Sequence, residues 1–189
     1  MTVRDQRVVV VGGTSGIGLA TAALLHEQGA SVVVTGRDPE RLASAAAQGL
    51  QPERVDSTRR AELDALFARV APVDHLVVCV SGGEGAGPLA SLDLDAVRRA
   101  LEAKTLAQLE TLQAALPHLA PSASVTLVTA ASAQAALPGT AGLAVVNGAL
   151  EAAVPPLAAE LGPVRVNAVS PGVVETPWWE GVPAEVRDG

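Results

Sequence analysis

The stretch Val8-Val9-Val10-Val11-Gly12-Gly13-Thr14-Ser15-Gly16-Ile17-Gly18 predicts the fold of this chain and its main binding site. The valines predict a buried strand, and the following segment, Ile17–Gln28, predicts a helix. Glycines are needed where backbone approaches a pyrophosphate and where a helix packs close to a strand. The N-terminus of a helix also offers free N–H groups to phosphates. The turn therefore favours a dinucleotide site, although an ordinary strand–helix turn can have the same spacing.

Short Val-rich runs alternate with longer amphipathic segments along the chain. We predict strands over Arg7–Val11, Ser31–Thr35, Arg54–Asp56, His75–Val80, Ser124–Thr129 and Val164–Val169. We predict helices over Ile17–Gln28, Pro39–Gln48, Arg59–Val70, Leu94–Leu116 and Leu143–Leu161. Strands that are apolar on both faces and separated by helices indicate a parallel sheet covered on both sides. This order predicts an α/β fold, a single Rossmann-type doubly wound domain over residues 1–189.

Composition excludes several classes of protein. Hydrophobic residues make up 49% of the 189 residues and charged residues 17%, which excludes a disordered chain. The net charge of −7 argues against binding to nucleic acid or to an anionic membrane. A single cysteine, Cys79, excludes an intrachain disulfide and a cysteine zinc site, and the three histidines lack metal-ligand spacing. We expect no metal, no membrane span and a cytoplasmic location.

Further motifs, in the same order along the chain, resemble the short-chain dehydrogenases/reductases over essentially its whole length. Gly12, Gly16 and Gly18 match the glycine spacing of that family, and Asp56 looks like its adenine-contacting aspartate. The segment Asn167-Ala168-Val169-Ser170-Pro171-Gly172-Val173-Val174-Glu175-Thr176 is similar to its Pro-Gly segment beside the nicotinamide. The cofactor-binding residues implied by the resemblance are Gly12, Thr14, Ser15, Gly16, Ile17, Gly18, Asp56, Ser81, Gly82, Pro171, Gly172, Val174 and Thr176.

The end of the second strand, Val34-Thr35-Gly36-Arg37, bears on the choice of nicotinamide cofactor. Sites for NAD place an acidic residue there for the ribose 2′-hydroxyl, whereas sites for NADP supply an arginine for the 2′-phosphate. Here the acidic position is Gly36 and Arg37 follows, so the resemblance implies NADP(H) rather than NAD(H). Arg37 as a solvated surface charge remains the alternative.

The catalytic residues are where the chain departs from the family, whose members use Asn, Ser, Tyr and Lys. The chain contains no tyrosine, and the Tyr position falls on Leu143. Asn147 occupies the Lys position, and Lys104, the only lysine, occupies the Asn position on the long helix. The Ser position falls near Ala130, with Ser132 two residues further on.

We hypothesise that Lys104 and Asn147 have exchanged roles: Lys104 reaches the ribose or the substrate oxygen, and Asn147 provides the amide. Lys104, Asn147 and Ser132 are then the catalytic candidates. The alternatives are drift in an inactive site and a wrong alignment register.

The resemblance therefore implies an NADP(H)-dependent oxidoreductase that transfers hydride between NADPH and a small carbonyl or alcohol substrate. The alternative is a catalytically inactive nucleotide-binding pseudoenzyme or sensor. We expect a homo-oligomer, although Pro155 and Pro156 predict a kink or break near Val154 in a helix that often forms the family's dimer interface.

Two expectations concern the C-terminal part of the chain. Trp178 and Trp179 follow the Pro-Gly segment and predict an apolar wall over the nicotinamide or substrate, or alternatively core or subunit packing. Family members usually continue with a lid helix, another helix and a seventh strand, whereas this sequence ends at Gly189. The C-terminal part of the fold is therefore expected to be short or missing.

Overall fold

Strands and helices alternate through the computed structural model, which describes residues 2–176. The strands are β1 (Arg7–Val11), β2 (Ser31–Gly36), β3 (Gln51–Arg54), β4 (Val73–Val78), β5 (Leu119–Val128) and β6 (Arg165–Val169). The helices are α1 (Gly16–Glu27), α2 (Pro39–Ala47), α3 (Arg60–Val70), α4 (Leu94–Ala100), α5 (Ala107–Ala115) and α6 (Ala141–Glu160). Within the described range, the strands form one parallel sheet in the order β3-β2-β1-β4-β5-β6.

Both faces of the sheet are covered, which explains why β1 is apolar at every position. Successive side chains of a strand point to opposite faces. Val8 and Val10 therefore pack with Ala22 of α1 on one face, whereas Val9 and Val11 pack with residues of α3, α5 and α6 on the other. This arrangement confirms the predicted doubly wound α/β fold.

The third and fourth strands lie earlier than predicted. β3 ends at Arg54, so Asp56 lies in the turn after it and not in the strand. Pairing with β2 places Arg54 opposite Gly36 and determines the bounds of this polar edge strand, in which Pro52 is tolerated. β4 covers Val73–Val78 rather than His75–Val80, because pairing with β1 ends where the glycine-rich turn begins.

The predicted long helix contains one wide turn. Between α4 and α5, residues Leu101–Leu106 form a π-helical turn that brings Lys104 and Thr105 into the interior together. Such insertions are rare and often occur at functional sites. The turn lies at the carboxyl edge of the sheet, beside the ends of β4 and β5.

Of the kink or break predicted near Val154, the break is wrong, because α6 is helical throughout Ala141–Glu160. Pro155 and Pro156 are exposed, so water can hydrogen-bond the carbonyl groups that the two prolines leave without an N–H donor. By length and composition alone α6 could cross a membrane, but it packs against β6 and buries Val146 and Leu150. The predicted wall of Trp178 and Trp179 lies outside the described residues.

Candidate functional site

The glycine-rich turn between β1 and α1 brings the helix unusually close to the strand. Gly12 and Gly16 have φ of 80° and 52°, in the left-handed region that favours glycine. A Cβ on Gly12 would lie 3.0 Å from the carbonyl carbon of Cys79, and a Cβ on Gly18 would overlap the carbonyl oxygen of Gly12. The turn therefore requires glycine at both positions, because a side chain would collide with the backbone of Cys79 or of Gly12.

The N-terminus of α1 has the features of a phosphate site. Its N-cap, Ser15, is extended, and the Ser15 side chain makes no capping hydrogen bond to the helix. The N–H groups of the first turn therefore lack the side-chain cap that satisfies them in many helices. These features fit the diphosphate of a dinucleotide, which the uncapped N–H groups and the helix dipole would bind. Thr14 and Ile17, the other predicted residues of this turn, are half-buried.

The predicted Pro-Gly segment runs from β6 back to this turn. The N–H of Ala131 donates to the carbonyl oxygen of Pro171 at 2.8 Å, which joins the ends of β5 and β6. Further on, Thr176 reaches the turn, since a Cβ on Gly16 would lie 3.4 Å from that of Thr176. Gly172 and Val174 are exposed between these two contacts. The structure thus brings the two predicted binding segments together.

A cleft of about 520 Å³ lies at the ends of β2 and β3, lined by Arg37, Arg54, Asp56, Arg59 and Glu62. The carboxylate of Asp56 accepts hydrogen bonds from the backbone N–H and the hydroxyl of Thr58, at 3.0 and 2.8 Å. The backbone bond from Thr58 is the main reason that the pKa of Asp56 lies below its ordinary value, and the charge of Arg37 acts in the same direction. The cleft therefore combines an ionised carboxylate with three guanidinium groups.

Ser81 and Gly82 follow β4 at the same edge of the sheet. The hydroxyl of Ser81 donates to the carbonyl oxygen of Gly82 at 3.3 Å, and Ser81 is exposed. A Cβ on Gly82 would lie 3.5 Å from that of Ala103 in the π turn. Gly82 therefore lies beside the π turn that contains Lys104.

Lys104 is only 6% exposed, and its ammonium has no carboxylate partner among the described residues. Its Nζ donates to the carbonyl oxygen of Thr129 at 3.1 Å, directly after the end of β5. Burial is the main reason that the pKa of Lys104 is lowered to about 8. Desolvation of the partly buried Cys79 thiol raises its pKa to about 12 and leaves it neutral.

Asn147 and Ser132 form a hydrogen bond with each other. Asn147 Nδ2 donates to Ser132 Oγ at 3.2 Å and to the carbonyl oxygen of Leu143 at 3.0 Å. Asn147 is 4% exposed, and its Oδ1 is buried without a partner among the described residues. Thr105 Oγ1 donates to the carbonyl oxygen of Val146 at 2.8 Å. This hydrogen bond joins the π turn to α6, one residue away from Lys104 and one residue away from Asn147.

The sequence prediction missed the polar residues that hold this edge together. The fully buried Gln108 donates from Nε2 to the carbonyl oxygens of Val80 and Val128, which fixes the ends of β4 and β5. Thr129 Oγ1 donates to Glu151 Oε1 at 2.9 Å. Hydrogen bonds from Gln134, Ser170 and Thr129 outweigh burial and lower the pKa of Glu151. The sequence signal that could have identified Gln108 is its position four residues after Lys104, which predicts that both lie on one face of a helix.

Substituting Gly18 tests whether the close approach of α1 is required. In Gly18→Ala the new methyl group overlaps the carbonyl oxygen of Gly12, so the helix must move away from β1. We expect the affinity for NADPH, measured by isothermal titration calorimetry, to fall at least about tenfold, since a misfit of about 1.4 kcal/mol is a factor of ten.

Gly148→Ala is the matched control for this substitution. Its new Cβ would lie 3.8 Å from the carbonyl oxygen of Ala133, an ordinary contact, and we expect unchanged affinity. Equal affinities of the Gly18→Ala variant and the wild type would contradict the role assigned to the turn.

Comparisons with known proteins agree with this geometry. A family model described as enoyl-(acyl carrier protein) reductase matches residues 11–188. An uncharacterized oxidoreductase of Staphylococcus epidermidis is 31% identical, over 95% of this chain and 82% of the relative. The cis-4-hydroxycyclohexanecarboxylate dehydrogenase of Sinomonas cyclohexanicum is 34% identical, over 97% of this chain and 79% of the relative.

Solved structures give the same result. A short-chain type dehydrogenase/reductase from Mycobacterium ulcerans superposes with a TM-score of 0.90 at 26% identity, covering 100% of this chain and 74% of that one. With a family model that spans nearly the whole sequence, these relatives show that the chain belongs to the short-chain dehydrogenase/reductase family of oxidoreductases.

Proposed function

We propose that the chain is a cytoplasmic NADP(H)-dependent oxidoreductase that transfers hydride between NADPH and a small carbonyl compound or its alcohol. The observation that carries the proposal is a buried lysine at the same sheet edge as the glycine turn. Lys104 hydrogen-bonds Thr129, one residue before the family's serine position at Ala130. The dehydrogenase of Sinomonas cyclohexanicum, whose named substrate is a hydroxy acid, supports this substrate class.

The preference for NADP(H) over NAD(H) rests on the end of β2. A side chain at Gly36 would overlap Thr14, so the acidic residue that binds a ribose 2′-hydroxyl cannot occupy this position without displacing Thr14. Arg37 follows directly, and its guanidinium has no acceptor among residues 2–176. An arginine matches a phosphate with two parallel hydrogen bonds. These features favour a cofactor with a 2′-phosphate.

In this proposal Lys104 is the proton donor for the substrate oxygen. An ammonium has three N–H groups, and only one is used by Thr129, which leaves donors for a substrate or ribose oxygen. A reduced nicotinamide supplies the hydride when it is bound. On reduction, an Nζ–H bond of Lys104 breaks and an O–H bond forms on the substrate oxygen. The neutral amine then regains a proton from water.

Asn147 and Ser132 have positioning roles in this account. The hydrogen bond between them fixes the amide of Asn147, whose buried Oδ1 is an available acceptor for a donor that enters the site. Leu143 occupies the position of the family's tyrosine and supplies only a backbone carbonyl to Asn147. The hydroxyl acid of other family members therefore has no counterpart at this position, which supports Lys104 as the proton donor in its place.

Substituting Lys104 tests the proposed chemistry. We expect Lys104→Gln to retain NADPH binding but to lose turnover of carbonyl compounds by about 10²- to 10⁴-fold, the usual contribution of a general acid. Because the ammonium is the acid, the wild-type rate of reduction should fall as pH rises through about 8, the lowered pKa of Lys104. Oxidation of NADPH, followed by absorbance over a panel of carbonyl compounds, provides the measurement.

Glu102→Gln is the control, since Glu102 is exposed on the same π turn, and it should keep wild-type activity. Turnover by Lys104→Gln at the wild-type rate would contradict the proposed acid. NADPH binding without turnover by the wild type would support the alternative, a nucleotide-binding sensor with an inactive site.

We further propose that a second copy of the chain covers an apolar groove of about 320 Å³ between α5 and α6. Its lining includes Leu106, Leu109, Leu112, Leu116, Leu157 and Leu161. Leu106 is 50% exposed, and a symmetric dimer would bury the same surface on both copies. Pro155 and Pro156 do not interrupt α6, so this helix can still form part of a dimer interface.

Light scattering after size-exclusion chromatography tests the dimer. We expect the wild type to have twice the 19.0 kDa mass of the chain. The Leu106→Glu variant should be a monomer, because burying an unpaired carboxylate in the interface is unfavourable. Leu24→Glu, which changes an exposed leucine of α1, is the control and should remain a dimer. A Leu106→Glu variant that remained a dimer would contradict the proposed interface.

A further inference from the structure

Two guanidinium groups in the cleft at the ends of β2 and β3 have no acceptor among residues 2–176. Arg59 lies 3.4 Å from Glu62, whereas Arg37 and Arg54 make no ion pair or hydrogen bond within that range. Most other arginines of α3 and α4 are paired: Arg60 with Asp64 and Arg69 with Glu53, for example. Two unpaired cations in one cleft of an acidic protein provide a site for an anion.

The strand register places Arg54 beside the position that decides cofactor choice. Arg54 and Gly36 are paired residues of the parallel strands β3 and β2. Paired residues of neighbouring strands direct their side chains to the same face of the sheet. At Gly36 this is the face of the glycine turn, because a Cβ there would meet Thr14. Arg54 therefore extends on the nucleotide side, next to a residue without a side chain.

The carboxylates of the cleft leave both guanidinium groups available. Asp56 Oδ1 is occupied by the backbone and hydroxyl of Thr58. Glu62 uses Oε2 for the backbone N–H of Asp56, at 2.8 Å, and Oε1 for Arg59. Neither acid forms an ion pair with Arg37 or Arg54, and both arginines are exposed. A ligand anion would therefore replace water at these two side chains without breaking a protein ion pair.

We propose that Arg54 is a second specificity-determining residue, which binds the 2′-phosphate of NADP(H) together with Arg37; this rests on the proposed function. A phosphate monoester presents three terminal oxygens with nearly two negative charges, enough acceptors for two guanidinium groups. The 2′-hydroxyl of NAD(H) has no charge to offer them. Arg54 therefore contributes to discrimination between the two cofactors rather than to binding of their shared parts.

A different role for Arg54 would leave a different signature. A guanidinium stacked on the adenine ring would stabilise NADPH and NADH equally, since both carry that ring. A phosphate ligand stabilises only NADPH. The ratio of the two affinities therefore separates the two roles.

Isothermal titration calorimetry with NADPH and NADH provides the test, on the full chain and its variants. We expect Arg54→Gln to raise the Kd for NADPH by about tenfold, the lower end for a lost charge-assisted hydrogen bond, and to change the Kd for NADH less than about twofold. Arg54→Lys keeps the charge but loses the paired donors and should be intermediate for NADPH. Arg60→Gln, which removes an exposed arginine of α3 outside the cleft, should change neither Kd.

Each remaining outcome contradicts the proposal in a recognisable way. An unchanged Kd for NADPH in both Arg54 variants, or an equal loss for NADPH and NADH, would overturn the role of Arg54 while leaving the proposed function intact. Wild-type protein that binds neither nucleotide would overturn the proposed function itself. Urea denaturation of each variant confirms that the exposed substitution leaves folding unchanged.

Discussion

The approach of α1 to β1 is the constraint on which the rest of the structure depends. Gly18 lies so close to the carbonyl oxygen of Gly12 that no side chain fits between helix and strand. This contact directs the first turn of α1 toward the carboxyl edge of the sheet, where β4, β5 and β6 also end. Because parallel strands end at one edge, segments distant in sequence meet there, and Thr176 reaches Gly16. The glycine-rich turn and the buried Lys104 therefore lie at the same edge of the sheet.

The proposed chemistry depends on a buried cation that has no carboxylate partner among residues 2–176. Burial lowers the pKa of Lys104 from 10.5 to about 8, a cost of about 3 kcal/mol while the ammonium is charged. The cost is fully present below pH 8 and disappears as pH rises toward 10.5, where the unfolded chain also loses the proton. A hydrogen bond to one carbonyl oxygen offsets only part of it. A destabilising charge of this kind, beside a proposed cofactor site, is typical of a group retained for catalysis.

The sequence predicted the sheet, the order of its elements and the residues of the glycine turn, because apolar periodicity and glycine requirements are local. The start of α2 at Pro39 was predicted correctly, and there Asp38 Oδ1 accepts hydrogen bonds from the backbone N–H groups of Glu40 and Arg41. The bounds of β3 could not be predicted, since they depend on pairing with β2. The π turn was missed for a similar reason: its burial of Lys104 and Thr105 depends on contacts with β5 and α6. The cleft around Arg54 could not be predicted either, because it depends on the register of β3 against β2.

The protonation of Lys104 tests the central claim most directly, and the composition of the chain makes the measurement simple. Lys104 is the only lysine, so a chain labelled with ¹⁵N-lysine has a single side-chain amine to follow by NMR as pH is varied. We expect the Lys104 amine to titrate with a midpoint near 8 in the folded protein and near the ordinary 10.5 in urea. A folded-state midpoint near 10.5 would show that the ammonium is solvated, and Lys104 would then not be the acid of a buried site.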